Sequence, residues 1–209
     1  MNHVVLLGDS IFDNAPYIGG APDVVEEVRQ RLPRGSKATL NAIDGSMVED
    51  VRGQLRRLPA DATHLIVSAG GNDALGSSDI LYAPVRSTAE ALAGLADIAE
   101  QFERRYHRML TEVLTYELPT AICTVYYPRF PDQALQRVAV TGLTVFNDCI
   151  IRTAVANNIP LLDLRFICTE KEDYANPIEP SAQGGAKIAS AIVRLVVHGF
   201  AGGTTEVFT

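Results

Sequence analysis

Short apolar runs alternate along the chain with longer stretches in which apolar residues recur every three or four positions. The short runs are typical of buried strands, and the periodic stretches are typical of amphipathic helices. The predicted strands cover residues 4–7, 37–43, 64–68, 120–126 and 160–164. The predicted helices cover residues 24–32, 48–55, 88–118, 133–158 and 181–197.

This alternation predicts a parallel sheet covered by helices on both faces. Parallel strands need crossover connections, and helices supply them. The chain has 209 residues and shows no repeat, low-complexity tract or linker, so we expect one α/β domain over residues 1–209. In such a sheet a ligand binds outside the carboxyl ends of the strands.

Composition narrows the choice of partner and compartment. The net charge of -7 argues against a nucleic-acid surface or a basic membrane patch, both of which need clustered Lys and Arg. The first predicted strand begins by residue 4, which leaves no room for a leader, and no uninterrupted apolar run approaches membrane-spanning length. We therefore expect a cytoplasmic protein with no membrane partner.

The three cysteines, Cys123, Cys149 and Cys168, lie in or beside apolar segments. Buried thiols are therefore expected rather than a disulfide framework or a metal site. Nothing in the sequence indicates a cofactor, and nothing in it determines the oligomeric state.

Three predicted strands end in polar, glycine-rich turns. These turns contain Ser10 after the first strand, Gly45 after the second and Asn72 after the third. A serine can attack an acyl carbonyl, while its own N–H, a glycine N–H and an asparagine amide can stabilise the oxyanion that forms. The pattern therefore points to acyl transfer.

At these residues the sequence resembles the SGNH hydrolases, also called the GDSL esterase and lipase family. Ser10 in GDSIFDN matches the family's nucleophile, Gly45 its glycine and Asn72 in GGND its asparagine. The resemblance covers nearly the whole chain. It implies a flavodoxin-like three-layer α/β/α sandwich with five parallel strands in the order 2-1-3-4-5, and hydrolysis of a small-molecule ester or acylated substrate.

The chain departs from the family just before its last helix. The family carries Asp-x-x-His-Pro followed by a glycine, and the Asp and His complete its triad. Here the matching stretch begins Asn176-Pro177-Ile178-Glu179-Pro180, so Asn176 stands at the aspartate position and Glu179 at the histidine position. The usual base is absent from this segment.

The two replacements are chemically consistent with each other. Two facing carboxylates would force one of them to bind a proton, and Asn176 removes that repulsion. Its amide could instead orient Glu179 by donating a hydrogen bond. None of the four histidines is a convincing substitute: His3 and His64 begin their strands at the far edge of the sheet, and His107 and His198 lie on predicted helices.

A glutamate needs a raised pKa to act as a base near neutral pH. Asp13 and Asp73 could supply the negative charge that raises it, or Asp13 could itself assist Ser10. Asp9 is expected to cap the turn instead, and capping is an open alternative for Asp13.

The surrounding residues give hints about substrate binding. Tyr126 and Tyr127 follow the fourth predicted strand and could line the rim of the site, and Arg129 could hold a carboxylate or phosphate. Packing of the tyrosines and solvation of Arg129 is an equally weighted alternative. The stretch 74–87, which includes Tyr82, could form a lid.

The first interpretation is therefore an SGNH-type serine hydrolase in which Glu179 is an atypical base. A second interpretation is a ligand-binding protein on the same fold that has lost its catalytic histidine. A third, a flavodoxin-like FMN protein, rests on fold analogy alone.

Overall fold

The computed structural model describes residues 1–199 and 205–209 and contains a parallel sheet. The sheet has six strands in the order β2-β1-β3-β4-β5-β6. The strands are β1 (His3–Gly8), β2 (Lys37–Leu40), β3 (His64–Ser68), β4 (Thr120–Cys123), β5 (Leu161–Leu162) and β6 (Val207–Phe208). The predicted order of the first five is confirmed. The sixth was missed because two residues at an edge, with Val207 57% exposed, carry no recognisable apolar pattern.

Strand β1, second from one edge of the sheet, is buried along its whole length. It pairs with β2 on one side and with β3 on the other, where Gly8 stands opposite Ser68. The carboxyl ends of β1 and β3 therefore lie side by side, and the turns that follow them meet at one edge of the sheet.

Helices cover both faces of the sheet. They are α1 (Val24–Arg31), α2 (Val51–Leu55), α3 (Gly71–Gly76), α4 (Thr88–Leu114), α5 (Gln133–Ala156), α6 (Leu164–Ile167) and α7 (Ala182–His198). One apolar core contains residues of α1, α6 and α7, and the other contains residues of α2, α4 and α5. Successive side chains of a strand point to opposite faces, so Val4 and Leu6 enter the first core while Val5 and Leu7 enter the second.

The ends of the long helices are defined by capping side chains, because the first N–H groups of a helix have no partner within it. Asp23, Ser87, Asp132 and Ser181 each accept a hydrogen bond at the start of α1, α4, α5 and α7. Ser181, where the last predicted helix begins, is thus the N-cap of α7. The stretch 74–87 is partly helical, since it contains the end of α3 and a 3-10 helix over Ser78–Tyr82.

By length and composition, α5 could cross a membrane. Its sequence is nevertheless interrupted by Arg137, Asp148 and Arg152. Its inner face, which includes Phe146 and Ile150, is buried in the second core. In this fold α5 is the crossover helix between β4 and β5.

Cys123, Cys149 and Cys168 are buried and unpaired, as the sequence predicts.

Candidate active site

The turn after β1 depends on a close approach between two strands. Gly8 has a φ of 127°, and a Cβ atom there would lie 1.6 Å from the Ser68 carbonyl oxygen. Glycine alone fits this position. The Asp9 side chain then accepts a hydrogen bond from the Ile11 N–H at 3.1 Å, which confirms its predicted capping role. Ser10 follows directly and is buried at the carboxyl edge of the sheet.

A buried glutamine joins this turn to the next two. Gln54 accepts a hydrogen bond from the Gly8 N–H at 2.7 Å and donates to the Gly8 carbonyl at 2.8 Å and to the Ser46 hydroxyl at 3.2 Å. The Asn72 amide donates to the Ser46 carbonyl at 2.9 Å. The segments that carry Ser10, Gly45 and Asn72 are therefore tied into one hydrogen-bonded network, and the second amide hydrogen of Asn72 is available to a ligand.

Glu179 is carried by a tight loop before α7. Tyr174 and Pro180 form an antiparallel bridge, and the Ala175 N–H donates to the Glu179 carbonyl at 2.9 Å. At the tip of the loop, the Asn176 side-chain oxygen accepts hydrogen bonds from the N–H groups of Ile178 and Glu179 at 2.9 and 3.0 Å. The loop therefore presents Glu179 from a fixed backbone.

Two further contacts fix this loop against the sheet. The Tyr126 hydroxyl donates to the Ile178 carbonyl at 2.7 Å. Asn14, which is fully buried, donates to the Pro180 carbonyl at 3.4 Å and accepts from the Val24 N–H at 3.0 Å. Asn14 belongs to the same GDSIFDN segment as Ser10. This segment therefore carries Ser10 and also contacts the loop that carries Glu179.

Ser10, Asn72 and Glu179 line one cavity of about 280 Å³. Asp9 and Tyr126 line it as well. The Ser10 hydroxyl lies close enough to the Glu179 carboxyl group to lower the pKa of that carboxyl. Glu179 is only 7% exposed, and its Oε2 atom has no hydrogen-bond partner among the described residues. A serine hydroxyl, a carboxyl group and an amide donor are therefore brought together in a largely apolar pocket.

The surroundings of Glu179 raise its pKa above the ordinary value. Burial is the main cause, the contact with the Ser10 hydroxyl lowers the pKa, and the negative charge of Asp44 raises it. Burial, opposed by the hydrogen bond from Ile11 and assisted by the charge of Glu179, raises the pKa of Asp9 to about 7. The carboxyl groups that face Ser10 therefore hold protons more strongly than exposed ones.

Asp13 and Asp73, which were expected to act on Glu179 or Ser10, lie outside the cavity lining. Asp13 accepts a hydrogen bond from the Asp44 N–H at 2.9 Å and so holds the loop that carries Gly45. Asp73 accepts from the Val48 N–H at 3.0 Å and pairs with Arg105 at 3.4 Å. The negative charge that raises the pKa of Glu179 comes from Asp44 instead of Asp13 or Asp73.

Tyr127 and Arg129 also point elsewhere. Tyr127 packs against the second core, and its neighbour Tyr126 lines the cavity instead. Arg129 donates to the Thr169 carbonyl and lies 5.4 Å from the centre of the Tyr174 ring. For Tyr127 the packing alternative therefore fits better than substrate binding, and Arg129 has protein partners instead of being only solvated.

Asn176 and Gly45 differ in part from their predicted roles. Asn176 positions Glu179 through the backbone, with its oxygen as acceptor, and not by donating from its amide. Gly45 is exposed, has a φ of 79° and lies beside the cavity lining rather than within it. The described part of the cavity lining contains no histidine.

The segment expected to act as a lid forms one wall of the cavity. Leu75, Ile80, Leu81 and Tyr82 all line it, and Tyr82 is 76% exposed at the rim. The opposite wall comes from α5, which includes Leu143 and Phe146. Residues with important supporting contacts that the sequence did not single out include Asn14 and Gln54. The available signal for Gln54 was its place three residues after Val51 and beside Leu55, on the apolar side of a predicted helix.

Comparison with known proteins identifies the family of this chain. The model of the GDSL-like lipase/acylhydrolase family matches residues 6–187. No curated protein sequence gives a significant match.

Several solved structures share the fold. The extracellular lipase from Streptomyces rimosus has a TM-score of 0.62 at 17% identity, with 90% of this chain and 96% of that chain covered. The lipase/acylhydrolase from Enterococcus faecalis has a TM-score of 0.62 at 19% identity, covering 93% and 94%. Phospholipase A1 from Streptomyces albidoflavus has a TM-score of 0.61 at 18% identity, covering 90% and 98%. The fold is thus shared over nearly the whole length, and the family model covers the residues that build the site; the chain belongs to the GDSL-like lipase/acylhydrolase family.

Proposed function

We propose that this protein is a serine hydrolase that cleaves an ester or acyl bond, with Ser10 as nucleophile and Glu179 as base. The observation that carries the proposal is the contact between the Ser10 hydroxyl and the Glu179 carboxyl group in a cavity that Asn72 also lines. A nucleophile, a base and an oxyanion donor in one pocket are the parts that acyl transfer needs.

In the first half-reaction Ser10 Oγ attacks the acyl carbonyl carbon while its proton passes to the Glu179 carboxylate. The carbonyl oxygen becomes an oxyanion that the Asn72 amide and the Ser10 N–H stabilise. When the intermediate collapses, the bond to the alcohol oxygen breaks and Glu179 returns the proton to that oxygen. Water then attacks the acyl-serine, Glu179 accepts its proton, and the acid product leaves as Ser10 regains its hydrogen.

A glutamate is a stronger base here than it would be in water. Its burial and the charge of Asp44 both raise its pKa, and a base works best when its pKa approaches the working pH. Asn176 keeps the carboxyl group in place by fixing the loop, so its contribution does not need a charge.

Hydrolysis of a panel of p-nitrophenyl esters by the wild type and by Ser10→Ala tests the proposal. Ser78→Ala is a matched control, because Ser78 lines the same cavity without contacting Glu179. We expect Ser10→Ala to lose at least about a thousandfold in kcat and Ser78→Ala to stay near wild type. Wild-type turnover by Ser10→Ala would exclude Ser10 as the nucleophile.

A second candidate is a binding protein that has lost its catalytic base. The lack of a histidine among the described lining residues favours it. A fluorophosphonate separates the two, since an activated serine displaces its fluoride and becomes labelled whereas an inert serine does not. Gain of activity in an Asn176→Asp, Glu179→His double variant of an inactive wild type would support the second candidate.

A further inference from the structure

The cavity extends from Ser10 into an apolar space between helices. Its walls come from α3 and the 3-10 helix that follows, from α4, and from α5, through the apolar side chains Leu75, Leu81, Leu95, Ile98, Leu143 and Phe146. Each methylene buried in such a space improves binding by about fourfold. The shape and lining therefore suit an unbranched hydrocarbon chain attached to the reacting carbonyl.

The charged side chains described in the lining of this cavity are all acidic. Its lining includes two carboxyl residues, Asp9 and Glu179, and no Lys, Arg or His among the residues described. Both carboxyl side chains are buried, at 3% and 7% exposure. A negatively charged ligand group would meet their repulsion in a water-poor space, where charges interact strongly.

The basic residues near the lining segments in sequence do not line the cavity: Arg86 and Arg137 are exposed, and three others are engaged by protein groups. Arg105 pairs with Asp73 at 3.4 Å. Arg129 donates to the Thr169 carbonyl, and Arg165 makes a 2.8 Å hydrogen bond to Asp163. None of these three guanidinium groups lines the cavity, so none compensates a ligand anion there.

Glu179 also has unused hydrogen-bonding capacity. Its Oε2 atom is buried without a partner in the part of the chain described. A buried acceptor without a partner is costly, and a ligand that brings a donor or a positive charge removes that cost. The same atom penalises a ligand that brings only acceptors.

We propose that this cavity takes a medium-length hydrocarbon chain whose polar end, next to Ser10, is uncharged or cationic, and that Glu179 and Asp9 exclude anionic amphiphiles. As a statement about substrate class it rests on the proposed hydrolase function, because the chain would be the acyl part of the ester. Selection by repulsion is a common way to gain specificity. Uncharged and cationic esters are then substrates, and acyl compounds with phosphate or sulfate next to the ester are poor ones.

Binding can be measured without any hydrolysis. Ser10→Ala protein is titrated by calorimetry with decanol, decyltrimethylammonium and decyl sulfate, each below its critical micelle concentration and at about pH 8, above the pKa of Asp9. We expect decyl sulfate to bind at least about tenfold more weakly than decanol, and decyltrimethylammonium at least as tightly. Butanol should bind far more weakly than decanol, by about fourfold for each missing methylene.

A second variant assigns the discrimination to Glu179. Adding Glu179→Gln to Ser10→Ala should reduce the affinity gap, defined as the Kd for decyl sulfate divided by the Kd for decyltrimethylammonium, by at least about fivefold. Adding Asp97→Asn, which removes an exposed charge from α4, should leave the gap unchanged. Equal binding of decyl sulfate and decanol, or an unchanged gap in the Glu179 variant, would overturn the proposal.

The hydrolase function and the ligand preference can be contradicted by different results. An inactive wild type that still prefers decanol to decyl sulfate would contradict the hydrolase function and leave the binding preference standing. An active wild type that hydrolyses anionic and uncharged esters of equal chain length equally well would contradict the preference alone.

Discussion

The side chain of Gln54 makes two hydrogen bonds to the backbone of Gly8, at 2.7 Å to its N–H and 2.8 Å to its carbonyl. Gln54 is 1% exposed and also donates to Ser46, whose carbonyl holds Asn72. One buried amide therefore links the strand before Ser10 to the loop that carries Gly45 and to the helix that carries Asn72. The geometry of the site therefore depends on this link as well as on the residues that would contact the substrate.

Gln54→Ala should weaken both the fold and the site. It leaves the buried Gly8 N–H without a partner, which costs about 1–3 kcal/mol, and opens a cavity, while the Gly8 carbonyl keeps its hydrogen bond from the Ile43 N–H at 3.1 Å. We expect urea denaturation to give a loss of about 2–4 kcal/mol in the free energy of unfolding, with a lower kcat. Gln30→Ala, at an exposed position of α1, is the control and should change stability little. An unchanged unfolding midpoint in Gln54→Ala would show that the link has no energetic importance.

Gly8→Ala should be much more destabilising than Gly53→Ala. A Cβ at Gly8 would lie 1.6 Å from the Ser68 carbonyl oxygen, so the ends of β1 and β3 would have to separate. A Cβ at Gly53, in α2, meets no atom within 4 Å, and alanine there should stabilise the helix by about 0.5–1 kcal/mol. Thermal denaturation of the two variants checks this. Similar melting temperatures would contradict the close approach of the strands.

Asn176 should tolerate aspartate better than alanine. Its oxygen accepts hydrogen bonds from the Ile178 and Glu179 N–H groups, and an aspartate oxygen can do the same. Asn176→Ala is therefore expected to lower stability by about 1–2 kcal/mol and to lower kcat, because Glu179 loses its fixed position. Asn176→Asp should keep the stability of the loop. Equal destabilisation by both changes would instead favour a role for the amide nitrogen.

Asp9 should make the protein less stable as pH rises from about 4 to about 7. Burial, partly offset by the hydrogen bond from Ile11, raises its pKa from 3.8 to about 7, so the folded state holds a proton that the unfolded state releases. The stabilisation is fully present below pH 3.8 and is lost as pH passes about 7, by at most about 4 kcal/mol.

Asp9→Asn retains the acceptor for the Ile11 N–H and removes the ionisable group. Urea midpoints at about pH 5 and about pH 8 should therefore differ less in Asp9→Asn than in the wild type. Asp97→Asn, at an exposed position, should keep the wild-type difference. An identical pH dependence in Asp9→Asn would show that Asp9 does not bind the proton.

The parts of the site that sequence could locate are those fixed by the strand order. Ser10 and Asn72 follow adjacent strands, so the parallel topology brings them together. Glu179 was found from its position before a proline and two glycines, and the structure places it in the same cavity.

The roles of the remaining residues depend on details of packing that the sequence pattern does not contain. Gln54 binds a partner 46 positions away, and Asn14 one 166 positions away. Tyr126, rather than Tyr127, faces the cavity because β4 ends at Cys123 and the direction of the following chain is set by packing. Asp73 is a polar residue in a promising turn, yet Val48 and Arg105 occupy its oxygens.

Activation of Ser10 by Glu179 is tested most directly by the rate at which a fluorophosphonate labels Ser10. In the wild type the rate should rise with pH as Glu179, whose pKa lies above its ordinary value, gives up its proton. Glu179→Gln should be labelled at least about a hundredfold more slowly and without that rise, while Glu172→Gln, an exposed control before the same loop, should match the wild type. Labelling of Glu179→Gln at the wild-type rate and with the wild-type pH dependence would contradict the claim.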